Sequence, residues 1–219
     1  MTAPATSPPT KPFGPVARLD RVTRVVHWVV AGLVLVMTAT GSMLYIGQLE
    51  AMVGRRQLLG RIHVVSGIAL VVVGVAVVVL RPATTALRAE LADLGQWTAR
   101  DRRWLRKKTR QKPAGKYNGG QKLATAAFGA LLLMQIVTGA VMHWHDPFPD
   151  SWRTGATFVH DWGYLALVVL IFGHIMKAVA EPSLLQAVTR GTVPRLWAEH
   201  ERPGWLASVE ADGDSETET

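Results

Sequence analysis

The sequence has no cysteine. Iron–sulfur clusters, thiolate-bound zinc and structural disulfides are therefore excluded from this chain. Histidine is left as the one strong candidate ligand type for a transition metal, and there are seven. Charge is also scarce. Asp, Glu, Lys and Arg make up 18% of the 219 residues, against 49% apolar. The apolar residues fall into four blocks, at 25–46, 62–80, 123–142 and 159–179. Each is close to the roughly 20 residues that cross a bilayer as a helix. A soluble bundle would keep a polar face on each helix, and residues 68–80 have none. Glycines at 32, 41, 67, 74, 129 and 139 lie inside the blocks, where they let a neighbouring helix or a flat cofactor approach closely. No internal repeat is evident beyond the four spans. The spans lack the buried carboxylates and broken helices of proton-coupled transporters, which disfavours that class.

The formal net charge is +8 and is unevenly spread. Lys11, Arg18, Arg21 and Arg24, the dense run from Arg81 to Lys122, and four basic residues after Met176 fall on one side of the spans. Only Arg55, Arg56, Arg61 and Arg153 fall on the other. Positive charge stays cytoplasmic, so both termini are expected inside. The basic run 100–112 lies between two spans, where it meets anionic headgroups rather than nucleic acid. No cleavable signal peptide is evident. The expected organisation is a disordered cytoplasmic extension over 1–17, an all-α membrane domain over 18–182 with a basic cytoplasmic loop at 81–122, a cytoplasmic tail over 183–207, and a disordered acidic end over 208–219.

His160 and His174 sit fourteen residues apart in one span. At about 100° and 1.5 Å per residue they share nearly one helix face, roughly 21 Å apart along the axis. Ionisable residues inside spanning helices are rare and usually functional. Topology sorts His27 with His174 towards the inner side and His63 with His160 towards the outer side. That is the arrangement needed for two haems, each held by two imidazoles between helices, which suits electron transfer because no coordination position stays open. Arg24 and Arg61, one turn or less from His27 and His63, either pair with anionic haem propionates or snorkel to lipid phosphate. His143 and His145 share the outer depth, either as substitute ligands or proton-handling groups, or as part of an exposed loop. His200 lies in a charged segment and is expected to be solvated.

These residues resemble a known family, the γ subunit of respiratory formate dehydrogenase, a four-helix dihaem cytochrome b. The similarity runs from about Asp20 to Trp205. Arg24-Val-Val-His-Trp28 is similar to the family's first-helix opening, and Gly60-Arg-Ile-His63 to its second-helix motif. Lys116-Tyr-Asn-Gly-Gly-Gln-Lys122 resembles its most specific loop. Val137-Thr-Gly139, the His160–His174 spacing, Gly191-Thr-Val-Pro-Arg-Leu-Trp197 and Pro203-Gly-Trp205 match further on. The resemblance implies that His27 and His174 ligate an inner haem b, and His63 and His160 an outer one. It implies a menaquinone site beside the inner haem, with Asn118 hydrogen-bonding a quinone oxygen and the backbone at Gly120 lining the pocket. Without the family, Asn118 reads as a helix cap and Gly119-Gly120 as a turn. The chain departs from the family in its long proline-rich extension, in His143 and His145, and in Asp161 beside an outer ligand.

The expectation is a multi-pass protein of the bacterial inner membrane. It would pass electrons from an outer iron–sulfur β subunit, fed by a molybdenum or tungsten α subunit, through two haems to menaquinone at the cytoplasmic side. The alternatives are the cytochrome b subunit of a nickel–iron hydrogenase or other molybdoenzyme, and a non-redox membrane anchor.

Overall fold

In lipid a backbone must satisfy its own hydrogen bonds, so an apolar run without proline becomes a helix. The computed structural model, which describes residues 14–79, 85–106, 115–144 and 146–217, follows this rule. A two-residue strand β1 (Val16–Ala17) precedes α1 (Arg21–Tyr45). Asp20 starts α1, its carboxylate accepting from the backbone N–H groups of Val22 at 3.0 Å and Thr23 at 3.1 Å. A short α2 (Gly47–Val53) ends on Gly54 at φ 64° and leads into α3 (Arg56–Val79). Then come α4 (Thr85–Gly95), α5 (Ala99–Leu105), α6 (Gly119–His143) and α7 (Asp150–Ala180). The chain closes with α8 (Pro182–Arg190), β2 (Thr192–Val193), α9 (Arg195–Glu201) and α10 (Pro203–Thr217).

Four of these helices, α1, α3, α6 and α7, are long and apolar enough to cross a membrane. They outrun the apolar blocks: α1 starts at 21 rather than 25, α3 at 56 rather than 62, and α7 at 150 rather than 159. Hydropathy marks only the lipid-facing length, whereas the helix continues into the polar interface as long as caps allow. Many large apolar side chains point outwards, among them Val65, Val72, Val169 and Phe172, as lipid contact requires. The spans pair unequally. α1 packs chiefly on α3, and α6 chiefly on α7, forming two helical hairpins. The hairpins meet each other more sparsely, mainly through α1 and α7.

The tight apolar core lies outside the spans. Ala187, Val193, Ala198, Trp205 and Leu206 are buried together, with Val16, Leu19 and Trp197 packed on them. β1 and β2 pair antiparallel, Val16 opposite Val193 and Ala17 opposite Thr192, so both ends of the chain sit at one end of the bundle. Gly191 makes this junction possible. Its φ is 87°, and a Cβ there would lie 2.7 Å from the Leu19 carbonyl oxygen. Residues 14–17 are tied down by strand pairing, and residues 208–217 continue α10, which Trp205 and Leu206 anchor. Residues 1–13 and 218–219 lie outside the described residues.

Arg18 is the pin of the cap. It is only 5% exposed, and its guanidinium carbon lies 4.8 Å from the Trp205 ring, 5.3 Å from Trp197 and 5.6 Å from Tyr117. Its Nη2 donates to the Lys116 carbonyl at 2.7 Å. Burial pushes the guanidinium down to about 10, which leaves it charged at neutral pH. Desolvated cation–π contacts and a charged hydrogen bond are together worth about 2–3 kcal/mol. Arg18→Ala should therefore lower stability by about that amount in thermal unfolding of the detergent-solubilised protein. Arg18→Lys should recover less than half of the loss, because an ammonium cannot stack flat on three rings.

Candidate cofactor-binding sites

The fourteen-residue spacing on α7 puts His160 and His174 on one face at two depths. Each meets a histidine from the other hairpin. His27 of α1 stands beside His174, and His63 of α3 beside His160, both with ring centres 6.3 Å apart. A direct N–H···N hydrogen bond of about 2.9 Å would bring the centres to roughly 5 Å. Two imidazoles on one metal, with bonds of about 2.0–2.1 Å and about 1.1 Å from nitrogen to ring centre, stand roughly 6.3 Å apart. The observed spacing is too long for a direct hydrogen bond and has the length that two imidazoles on one metal would need. Among the described residues no three His, Cys, Asp or Glu side chains converge.

The His63–His160 pair carries a second layer that the sequence reading missed. The Thr40 hydroxyl lies 3.0 Å from His63 Nδ1, and the Thr138 hydroxyl 2.9 Å from His160 Nδ1. Each hydroxyl has one hydrogen. Thr40 donates it to the Val36 carbonyl at 2.8 Å, and Thr138 to the Met134 carbonyl at 2.7 Å. Both threonines therefore accept from the imidazole. Nδ1 carries the proton, and Nε2 keeps the lone pair that a metal needs. Each threonine is followed by a glycine that faces the same ring. A Cβ at Gly41 would lie 3.5 Å from His63 Cε1, and one at Gly139 3.4 Å from His160 Cε1. A methyl group at either position would lie in van der Waals contact with the Cε1–Nδ1 edge of the ring. Thr40-Gly41 and Thr138-Gly139 stand at matching places on the two hairpins. The dipeptide alone is a weak signal, since Thr154-Gly155 of α7 shares it.

The His27–His174 pair is framed by aromatic edges instead. His27 meets Trp28 at 5.5 Å and His174 meets Phe128 at 5.5 Å, both edge-on. Between the two depths Tyr164 donates to Ser42 Oγ at 2.6 Å, since that hydroxyl already donates to the Thr38 carbonyl.

The remaining candidates fall elsewhere. Arg24 Nη1 donates to the Thr189 carbonyl at 2.7 Å, and Trp28 Nε1 to the Val188 carbonyl at 2.9 Å. A cation at the carbonyl end of α8 is favourable. Arg24 Nε has no partner among the described residues, and the side chain lines a groove with Arg21, Val25 and Trp28. Arg61 is exposed, with no ion pair among the described residues. His143 is exposed, edge-on to Trp144. His145 lies outside the described residues. His200 is exposed and bonded to Glu201.

Asn118 is the N-cap of α6. Its Oδ1 accepts from Gln121 N at 2.8 Å, while Gln121 Oε1 accepts from Asn118 N at 3.0 Å, a reciprocal capping box. The amide's two hydrogens have no partner among the described residues. The two glycines after it are more than a turn. A Cβ at Gly119 would lie 2.8 Å from the Asp101 carbonyl oxygen, and one at Gly120 2.9 Å from the Trp104 ring. They let α5 lie across the start of α6. The loop is tied on every side. Lys116 pairs with Glu90, Tyr117 donates to Glu90 at 2.5 Å, and Arg18 and Arg202 both donate to the Lys116 carbonyl. Burial and the Glu90 acceptor push the Tyr117 phenol well above its usual range, so it stays a donor.

A sequence model of prokaryotic cytochrome b561 matches residues 18–191. The chain belongs to the prokaryotic cytochrome b561 family. Membership implies haem b, and with the four apolar helices it makes the chain a multi-pass protein of a bacterial inner membrane. Among curated relatives, the cytochrome b556(fdo) subunit of formate dehydrogenase from Escherichia coli K12 is 28% identical over 108 residues. That covers 48% of this chain and 51% of the relative. The cytochrome b556(Fdn) subunit of the nitrate-inducible formate dehydrogenase from the same strain is 26% identical over 108 residues, 48% of this chain and 50% of that protein. The chain spans about half the length of the curated relatives it matches.

One pH effect follows from the loop. Lys122 is 5% exposed and donates to Asp101 at 3.2 Å and to the Gln96 carbonyl at 2.7 Å. Burial pushes the Asp101 carboxyl up, but hydrogen bonds from Thr98 and the Lys122 ammonium outweigh it and hold the carboxyl below its usual range. A depressed folded value makes its stabilisation complete above the ordinary value and lost as pH falls through the depressed one. Hydrogen-exchange protection of α5 should therefore weaken below about pH 4. Asp101→Asn should be less protected at neutral pH and lack that acid step.

Proposed function

We propose that this chain is the membrane cytochrome b subunit of a formate dehydrogenase complex, and that it binds two haems b and reduces menaquinone on the cytoplasmic side. The observation that carries the reading is the pair of imidazole couples, at two depths, each with the 6.3 Å spacing of bis-histidine ligation. His27 and His174 would hold one haem, and His63 and His160 the other. Bound there, the haems supply one-electron carriage across the membrane. Every other role belongs to the chain. The four histidines leave no open coordination position, which disfavours oxygen binding. Thr40 and Thr138 keep the lone pair of their histidines on Nε2. Arg24 and Arg61 would pair with haem propionates near His27 and His63.

Asn118 would donate its amide hydrogens to a quinone oxygen, and Gly120 would line the pocket. The reduced quinone needs protons, and the loop lies at the end of the bundle that carries both termini and most of the basic residues. The excess of Lys and Arg supports a cytoplasmic position for that end, so proton uptake would be cytoplasmic. Electrons would enter at the opposite end, from an iron–sulfur β subunit joined to a molybdenum or tungsten α subunit. The relatives named as formate dehydrogenase subunits support this choice of partner. The match covers half of each chain, which keeps a nickel–iron hydrogenase or another molybdoenzyme as the second reading. Copurification of the endogenous complex, with mass spectrometry of the large subunits, decides between them.

The purified chain should contain two low-spin b-type haems by pyridine haemochrome and reduced-minus-oxidised spectra. One haem, none, or a high-spin signal would sink the proposal. His63→Ala and His160→Ala should remove one spectral component, and His27→Ala and His174→Ala the other.

Asn118→Asp separates the cap from the quinone contact. Aspartate caps a helix as well as asparagine does, but ionised it cannot donate. Losing that hydrogen bond costs about 1–3 kcal/mol, up to roughly a hundredfold in rate. Haem reoxidation by a menaquinone analogue should slow accordingly while both haem bands stay normal. Asn118→Ala should slow it too and also cost about 1 kcal/mol of stability from the lost cap. Unchanged reoxidation in both variants would move the quinone elsewhere.

A further inference from the structure

We propose that Thr40 and Thr138 are positioning residues that lower the reduction potential of the haem held by His63 and His160. This rests on the two-haem reading above. The geometry is specific. Each threonine sits on the helix paired with its histidine's helix, α1 against α3 and α6 against α7. Each accepts the Nδ1 proton, at 3.0 and 2.9 Å. Each hydroxyl lies within hydrogen-bond distance of a carbonyl four residues back on its own helix, which takes its one hydrogen and leaves the oxygen as an acceptor for the ring. Thr40 is 6% exposed, so water does not compete strongly for the bond.

The consequence is electronic. A ligating imidazole that gives its far N–H to an acceptor becomes a stronger donor through Nε2. A stronger donor stabilises the ferric state more than the ferrous one, which lowers the potential; hydrogen bonding beyond the axial ligand is one of the protein's recognised levers on haem. Here both axial ligands receive the same treatment, so the two effects act in one direction. The other couple, His27 and His174, meets the ring edges of Trp28 and Phe128. Lowering the His63–His160 site alone favours electron passage from that end towards the end that carries Asn118. The threonine sets the ring's proton, and the glycine after it lets the helix approach the Cε1–Nδ1 edge of the ring.

The test is equilibrium potentiometry of the purified chain, monitored at the two haem bands. Thr40→Val, Thr138→Val and the double variant keep the shape of the side chain and remove the acceptor. Thr40→Ser and Thr138→Ser keep it. Each Val variant should raise the potential of the His63–His160 haem by a severalfold change in its reduction equilibrium. The double should approach or exceed tenfold, which is 59 mV for one electron. The second haem should not move, and the Ser variants should stay at the wild-type values. The proposal is overturned if the double Val variant holds both haems at unchanged potentials, or if both haems shift together. It is also overturned if each single Val variant loses the haem while its Ser counterpart keeps it, since the hydroxyls would then only hold the ring. A wild-type protein without two haems sinks the two-haem reading instead, so the two failures are distinguishable.

Discussion

Two imidazole couples bridge the halves of this protein. α1 with α3 and α6 with α7 form hairpins that pack well within themselves and sparsely on each other. At both depths the bridging groups are histidine rings whose centres stand 6.3 Å apart. Lipid tails are as apolar as the side chains, so there is no hydrophobic drive to close such a gap. What closes it has to be packing, hydrogen bonds or a bound group. The direct links between hairpins include the Tyr164–Ser42 hydrogen bond. A haem in each gap would add two metal–ligand bonds and a large flat surface between the hairpins. Binding energy gained there would also be folding energy.

The cap at the end with both termini solves a different problem. It is in water, so burial of Ala187, Val193, Ala198, Trp205 and Leu206 drives it as in any soluble domain. Its charged groups are enclosed rather than displayed. Arg18 and Arg202 stack on tryptophans and converge on the Lys116 carbonyl. Lys116 and Tyr117 both address Glu90, and Lys122 reaches Asp101. Every one of these bonds meets the segment 115–122 or a side chain next to it. The loop that resembles a quinone site is therefore among the most firmly anchored parts of the chain. Its donor amide is presented by a helix cap, which holds the group in place at little entropic cost.

The depth-sorted histidines show how topology alone can locate partners in a membrane protein. A spanning helix has one axis and nearly fixed ends, so a residue's number gives its depth to within a turn. That is why His27 beside His174 and His63 beside His160 could be expected from the order of four apolar blocks. The same logic has no purchase on what stands beside a ring at equal depth. Thr40 and Thr138 are ordinary residues in apolar runs, and only the rotation of each helix about its axis brings their hydroxyls to a histidine Nδ1. Rotation is set by packing, which sequence periodicity barely records when a helix is apolar all round.

The sequence by itself determined the helical class, the number of long apolar helices and which histidines share a depth. It did so because lipid imposes one periodicity and one length on any spanning segment. It also offered Asn118 as a helix cap, which the reciprocal bonds with Gln121 bear out. It did not determine the cap. Val16 pairing with Val193, Arg18 among Tyr117, Trp197 and Trp205, and α10 continuing through an acidic, polar end all join segments far apart in the chain. Those contacts carry no local signal. Composition read the segment 1–17 as too polar to fold, whereas Val16 and Ala17 pair with Val193 and Thr192. Only the tertiary structure decided that, because the apolar surface needed to offset the ordering of that strand is supplied by its distant partner.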